Sequence, residues 1–213
     1  MSNSIPPAAK PRFISAVFIP RVEATRAFFT SCYEGAWFSF EGDRMALRKR
    51  IEEFLREQDP KGRLEVREDG PHWISTAPLY LSYSHTEGAA LLVWSRIRAL
   101  GVDVEAASRK LQDSPLRIAE RFFHEREIAE LRAIAPHQGD SGSLEALQEH
   151  FLRLWLKKEA LGKLTRSGLR GSIGVEVAAE KNVTFEEAPL VPEGFRAIVA
   201  LAERRYAVPP FGR

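Results

Sequence analysis

Cysteine is almost absent from this 213-residue chain, Cys32 being the single one. One thiol excludes an internal disulfide and any multi-cysteine metal site, and it fits a reducing compartment. Net charge is nearly absent as well: 31 Lys and Arg stand against 29 Asp and Glu, for a formal +2. So even a balance gives no electrostatic footprint for nucleic acid. No apolar run approaches the roughly 18 residues of a membrane span. The start, Met1 to Arg12, is rich in Ser, Pro and Ala and lacks the apolar stretch of a signal peptide. The expectation is a cytoplasmic protein with neither nucleic acid nor membrane as a partner. What the chain does have, 44% hydrophobic and 28% charged residues, suits a globular protein able to bury a sizeable core in one domain or two small ones.

Periodicity divides the chain into two halves. Residues 1–11 read as a flexible tail, and Phe13 to Ile19 as a strand stopped by Pro20. Arg44 to Glu57 has helical spacing, with Met45, Leu47, Ile51, Phe54 and Leu55 on the apolar side, and Asp59-Pro60-Lys61-Gly62 ends it. Strands are expected at Leu64 to Arg67, Trp73 to Ser75, Leu79 to Ser84, Ala89 to Trp94 and Val102 to Val104, with turn residues between them. Helices are expected at Pro115 to Phe123, Glu125 to Ile134 and Leu144 to Leu164, with a polar loop around Gln138 to Gly142. Gly174 to Ala178, Val183 to Glu186 and Arg196 to Ala202 read as further strands. This order predicts an α+β chain of two similar lobes, 12–99 and 100–213, with most of any metal site in the second.

Two acidic segments carry the chemistry. In Gly101-Val102-Asp103-Val104-Glu105 the carboxylates are at i and i+2, so a strand points both to one face. In Trp155-Leu156-Lys157-Lys158-Glu159-Ala160-Leu161-Gly162-Lys163, Lys158 falls near the middle of the apolar arc formed by Leu147, Phe151, Leu154, Trp155 and Leu161, where a charge needs a partner. An internal ion pair, a snorkelling lysine and a functional lysine all fit that position. Glu159 and Lys163 stand one turn apart, as on many solvated helices. Ser82, Ser84, His85 and Thr86 lie together in Leu81-Ser82-Tyr83-Ser84-His85-Thr86, where Ser84 and His85 can donate to phosphate oxygens. No Gly-x-Ser-x-Gly turn accompanies them, which argues against a hydrolase nucleophile. Three carboxylates with lysines beside them suit a divalent cation and a phosphorylated substrate.

Four segments in order resemble 4′-phosphopantetheinyl transferases of the surfactin-synthetase-activating (Sfp-like) type: Leu81 to Thr86, Gly101 to Glu105, Phe122-Phe123-x-x-x-Glu127, and Trp155-x-x-Lys158-Glu159-Ala160-x-x-Lys163 with Ser167-Gly168-Leu169 behind it. The resemblance spans about residues 78 to 170. It implies a pseudo-two-fold pair of lobes with coenzyme A in the cleft between them. The implied reaction moves the 4′-phosphopantetheine arm of coenzyme A to a serine of an acyl or peptidyl carrier protein and releases adenosine 3′,5′-bisphosphate. It also implies Asp103, Glu105 and Glu159 as ligands of Mg²⁺, Lys158 and Lys163 near the phosphates, and Arg44, Ser84 and His85 at the nucleotide end. Glu159, Glu127 or a water serves as the base that takes the serine proton, Glu159 with Lys163 nearby being favoured. Two departures stand out: Ser82 where relatives often carry Asn, and Asp69-Gly70-Pro71-His72 where they often carry Gly-Lys-Pro.

A carrier is expected to dock on the Pro115 to Phe123 helix, where Arg117, Arg121 and Arg126 complement an acidic surface. A chain with both lobes is expected to act as a monomer. Two other readings are compatible with the same residues. One is a non-catalytic module that binds coenzyme A or a carrier protein. The other is a metal-dependent phosphohydrolase, which would release phosphopantetheine without modifying a protein.

Overall fold

A computed structural model describes residues 24–77, 79–109, 114–135 and 141–203. The tail 1–11 and the strand expected at Phe13 to Ile19 lie outside the described residues. The order is β1 Ala24–Phe29, β2 Glu34–Phe40, α1 Arg44–Gln58, β3 Arg63–Arg67, β4 Gly70–Ile74, β5 Tyr80–Thr86, β6 Gly88–Ser95, β7 Leu100–Ala106, α2 Pro115–Phe122, α3 Glu125–Ile134, α4 Ser141–Leu164, β8 Val183–Glu187 and β9 Phe195–Ala202. Every strand pair is antiparallel, in sheets ordered β1-β2-β6-β5, β3-β4 and β7-β9-β8. The architecture is thus mixed α and β.

The period-2 alternation of the strands builds the layers. Ala36, Phe38 and Phe40 of β2 and Ala90, Leu92 and Trp94 of β6 pack with Leu47, Ile51, Phe54 and Leu55 of α1. The residues between them, Trp37, Ala89, Leu91 and Val93, turn the other way. They meet Leu100, Val102 and Val104 of β7 and Ala197, Val199 and Leu201 of β9. The opposite face of β9, Ile198, Ala200 and Ala202, packs with Phe151, Leu156, Ala160 and Leu161 of α4 and with Ala119, Phe123 and Leu131. The layers run helix, sheet, sheet, helix. Both large sheets bury both faces, which is why β6, β7 and β9 read as near-continuous apolar runs.

Helix starts follow their caps. Asp43 accepts from the amides of Met45 and Ala46 at 2.9 and 3.1 Å, so α1 begins at Arg44. Ser114 caps α2 ahead of Pro115, and His124 with Glu127 forms a capping box on α3.

Four expectations are corrected. Met45 does not join the apolar side of α1: it is 69% exposed, in the first turn beyond the edge of the sheet-facing arc. β1 and β2 occupy a stretch assigned no element from sequence, where Gly35-Ala36-Trp37-Phe38-Ser39-Phe40 carries the aromatic character of a strand. Gly174 to Ala178 is no strand; a turn and a 3₁₀ segment at Val177–Ala179 stand there. α4 starts at Ser141, three residues earlier than its apolar pattern, so Ser141 and Gly142 leave the expected polar loop.

The contact that positions everything downstream is the approach of α4 to β7. A Cβ on Gly101 would lie 2.1 Å from the Ala160 carbonyl oxygen and 2.4 Å from the Leu164 amide nitrogen. Only a residue without a side chain lets the helix backbone lie directly on the strand. Gly101→Ala is therefore expected to destabilise the fold by at least the ~1–3 kcal/mol typical of overpacking, read by urea unfolding. A midpoint unchanged from wild type would refute the close packing.

Candidate active site

β5 and β7 are the edge strands of their sheets and face each other. Side chains join them. Successive same-face residues of β5, Ser82, Ser84 and Thr86, form the seam: Ser82 Oγ accepts from the Val102 amide at 3.1 Å, Ser84 Oγ donates to Asp103 Oδ1 at 2.7 Å, and Thr86 Oγ1 donates to Glu105 Oε1 at 2.8 Å. The spacing of two on each strand puts hydroxyls opposite carboxylates and covers edges that would otherwise be open.

Asp103 and Glu105 lie on the face of β7 that receives α4, the face of Gly101. From α4, Lys163 Nζ donates to Asp103 Oδ1 at 2.7 Å and to Ser84 Oγ at 2.8 Å. Its side chain keeps 30% of its surface exposed, so it is both anchored and reachable. Arg109, just beyond β7, pairs with Glu105 Oε2. Glu159, one turn before Lys163, is half-buried. Burial pushes its carboxyl above the usual range, the charges of Asp103 and Glu105 act in the same sense, and Lys163 and Arg109 oppose them.

His85 faces away from the seam, stacked on Phe40 with ring centroids 4.4 Å apart. Burial lowers its pKa, and the charges of Arg44, Lys163 and Arg48 add to that while Asp103 works against it. Arg44 and Arg48 are on the first turns of α1, and Arg48 Nε donates to the Tyr83 hydroxyl at 3.3 Å. The structure thus gathers Ser84, Asp103, Glu105, Glu159 and Lys163 at one seam, with His85 turned to the other face of β5 within the field of Arg44 and Arg48.

Lys158 and Glu127 do not join that group, and their expected roles are corrected. Lys158 is fully buried. Its ammonium pairs with Glu127 Oε2 at 2.7 Å, donates to the Val175 carbonyl at 2.6 Å and lies 5.1 Å from the centre of the Phe123 ring. Glu127 also accepts from the His124 amide at 2.9 Å and the Val177 amide at 3.0 Å. A lysine with no exposed surface cannot touch a substrate phosphate, and a carboxylate holding three donors is poorly placed to take a serine proton. The pair instead ties α4, the start of α3 and the segment before β8 together.

Sequence reasoning also missed two cations. Arg109 carried no motif. Arg166, in the turn after α4, adopts φ 58° and donates through Nη1 to Asp69 Oδ2 and His72 Nδ1, each at 3.0 Å. Nearby, a cavity of about 190 Å³ is lined by Asp69, Pro71, Tyr80, Tyr83, Lys163 and Arg166 among others. The one available signal was composition: a turn with no apolar residue to bury, yet with an arginine in it.

Among the described residues, no group of three or more His, Cys, Asp or Glu side chains is arranged so that it could hold a metal ion. The donor set nonetheless suits a hard cation, since Asp103, Glu105 and Glu159 present carboxylate oxygens. Burial is the main cause of the raised pKa of Glu159, and the charges of Asp103 and Glu105 add to it. Lys163 and Arg109 supply the positive charge in the arrangement described here.

Residues 99–195 match the family model of the 4′-phosphopantetheinyl transferase superfamily. No curated protein matches the chain. The matched stretch contains β7 and α2 to α4, hence Asp103, Glu105, Glu159 and Lys163, while Ser84, His85 and Arg44 come from outside it. No described helix is long and apolar enough to cross a membrane.

Two outcomes follow from this electrostatic arrangement. Glu127→Ala strands a buried ammonium and is expected to cost about 3–5 kcal/mol, whereas the double change Glu127→Gln with Lys158→Met, which keeps an acceptor for the His124 and Val177 amides, recovers part of it. Equal losses in denaturant titrations of the two would contradict a pairwise structural role. For Glu159 the folded pKa lies above the unfolded one. Its favourable contribution is therefore complete below the unfolded value, 4.5, and lost as pH rises through the folded value. Glu159→Gln is expected to match wild type in stability at acid pH and to exceed it at neutral pH in chelator. Thermal unfolding across that range checks the sign.

Proposed function

We propose that this chain transfers the 4′-phosphopantetheine arm of coenzyme A to a serine of an acyl or peptidyl carrier protein, converting apo to holo carrier and releasing adenosine 3′,5′-bisphosphate. The observation that carries this reading is the junction of Ser84, Asp103 and Lys163, with Glu159 one turn away. An anchored cation, hard carboxylates and a carboxyl of raised pKa meet there, between the edges of the two large sheets.

The carrier serine oxygen bonds to the phosphorus that bears pantetheine, the bond from that phosphorus to the bridging oxygen breaks, and adenosine 3′,5′-bisphosphate leaves. Glu159 accepts the serine proton. Lys163, fixed by Asp103 and Ser84, presents positive charge to the phosphates without having to reorganise during the reaction. Asp103, Glu105 and Glu159 would hold Mg²⁺, which when bound neutralises pyrophosphate oxygens and stabilises charge on the departing side. Arg44, Arg48 and His85 suit the 3′-phosphate, Arg44 and Arg48 through charge and His85 as a hydrogen-bond donor.

The remaining readings follow from this one. Each large sheet carries a helical layer on its outer face, which supports two similar lobes, 12–99 and 100–213, with coenzyme A between them in the manner of the surfactin-type enzymes. Such a chain acts as a monomer. The single Cys32 is unpaired and half-buried, in keeping with a cytoplasmic setting. The carrier docks at α2, where Arg117 and Arg121 meet its acidic surface.

The test is intact-mass spectrometry of apo carrier proteins incubated with the protein, coenzyme A and Mg²⁺. The expected result is a gain of one phosphopantetheine group, suppressed by chelator and abolished in folded Asp103→Ala. Free phosphopantetheine with unmodified carriers would indicate a hydrolase. Coenzyme A binding without transfer would indicate a binding module. Either result overturns the proposal.

A further inference from the structure

The two carboxylates of β7 are held in different ways. Glu105 Oε1 accepts from Thr86 Oγ1 at 2.8 Å and from the Ala106 amide at 3.0 Å, and its Oε2 carries the guanidinium of Arg109. At Asp103, Ser84 and Lys163 both bond Oδ1, and Oδ2 has no hydrogen-bond partner among the described residues. Asp103 therefore keeps one oxygen open, while both oxygens of Glu105 are taken.

Backbone geometry makes the Arg109 contact. Were β7 to continue as a strand, Arg109 would lie about 13 Å beyond Glu105. Instead the chain turns at Ala107 and Ser108. The Arg109 amide donates to the Ala106 carbonyl at 3.1 Å, and the Ala107 amide donates to the Gly194 carbonyl at 2.8 Å, which pins the turn to the connection before β9. The guanidinium is thereby folded back onto a carboxylate four residues earlier. The Glu105 side chain is 13% exposed and that of Arg109 43%, so the arginine forms the outer layer over the carboxylate.

The two cations of the seam are also held in different ways. Lys163 bonds Ser84 of one sheet and Asp103 of the other, whereas the guanidinium of Arg109 has Glu105 as its one partner among the described residues. An ion pair with so much exposed surface contributes little and exchanges readily. A guanidinium and a divalent cation cannot share Oε2 at low cost, because like charges a few ångströms apart repel. A monovalent ion brings no more charge than the arginine it would replace, but a divalent ion brings twice as much. Thr86 and the Ala106 amide hold Oε1 independently of Arg109, so the carboxylate keeps its place when the arginine leaves.

We propose that Arg109 is the displaceable counter-ion of the cation site: it neutralises Glu105 until a divalent ion takes its place, and so sets the free-ion concentration at which the site fills. This rests on the reading of Asp103, Glu105 and Glu159 as the ligands of that ion. Arg109 acts through Glu105 and is a positioning residue.

The test is Mn²⁺ binding to the full chain, read from the paramagnetic resonance of the free ion, with and without coenzyme A, for wild type, Arg109→Gln and Arg109→Lys. Arg109→Gln is expected to bind Mn²⁺ about fivefold more tightly than wild type, the upper scale of an exposed ion pair. The gain is expected to shrink in Arg109→Lys, which keeps the charge. A merely structural arginine predicts the opposite sign, since its loss would loosen Glu105 and weaken the ion. Unchanged or weaker Mn²⁺ binding in Arg109→Gln overturns the inference and leaves the carboxylates as ligands. If no variant binds Mn²⁺, with or without coenzyme A, the seam is not a cation site, and the reading beneath the inference falls with it.

Discussion

The bond from Lys163 to Asp103 and Ser84 is the constraint on which the site depends, because its three groups come from three separate elements. Ser84 comes from the edge of the first large sheet, Asp103 from the edge of the second, and Lys163 from the helix packed on that second sheet. Two edge strands without a backbone ladder would leave open hydrogen-bonding groups. Here the hydroxyls of Ser82, Ser84 and Thr86 take that place, and Ser84 and Thr86 hold the two carboxylates of β7. A change that shifts α4 by even a fraction of an ångström, as any side chain at Gly101 must, moves Lys163 and Glu159 relative to Asp103 together.

The same helix carries a second lysine with a different task. Lys158 and Lys163 are five residues apart, which at 100° per residue puts them about 140° apart around the axis. One turns into the core and meets Glu127, and the other turns to β7 and meets Asp103. The buried pair closes a circuit among α4, the α3 cap and the chain near Val177. It holds in place the helix whose other face carries Lys163 and Glu159.

The sequence made the framework legible where local chemistry settles it. α1 and α3 begin where Asp43 and His124 cap them, and the two-residue spacing of Asp103 and Glu105 correctly placed both on one strand face. Lys158 was half legible. Its position in the middle of an apolar arc marks a buried residue, but the partner that makes burial tolerable is 31 residues away, beyond any periodicity. Family likeness drew it toward the phosphates instead. β1 and β2 were missed because attention to turns passed over an aromatic run whose pairing, Trp37 opposite Leu91, is with a strand far along the chain. Arg166 is invisible for a similar reason: its partners, Asp69 and His72, are about a hundred residues earlier.

Charge accounting at the seam says what the site lacks by itself. Asp103, Glu105 and Glu159 bring three negative charges when ionised, and Lys163 and Arg109 bring two positive ones, each already paired with a carboxylate. The unmatched acid is Glu159, the half-buried one; burial chiefly raises its pKa, and the charges of Asp103 and Glu105 that make up the imbalance add to it. Such a site can relieve it in two ways, by taking a proton or by taking a cation. A proton at Glu159 is what a base holds after accepting it from a serine hydroxyl. A divalent cation would turn the local balance from negative to positive, and a pyrophosphate could then approach carboxylates that would otherwise repel it.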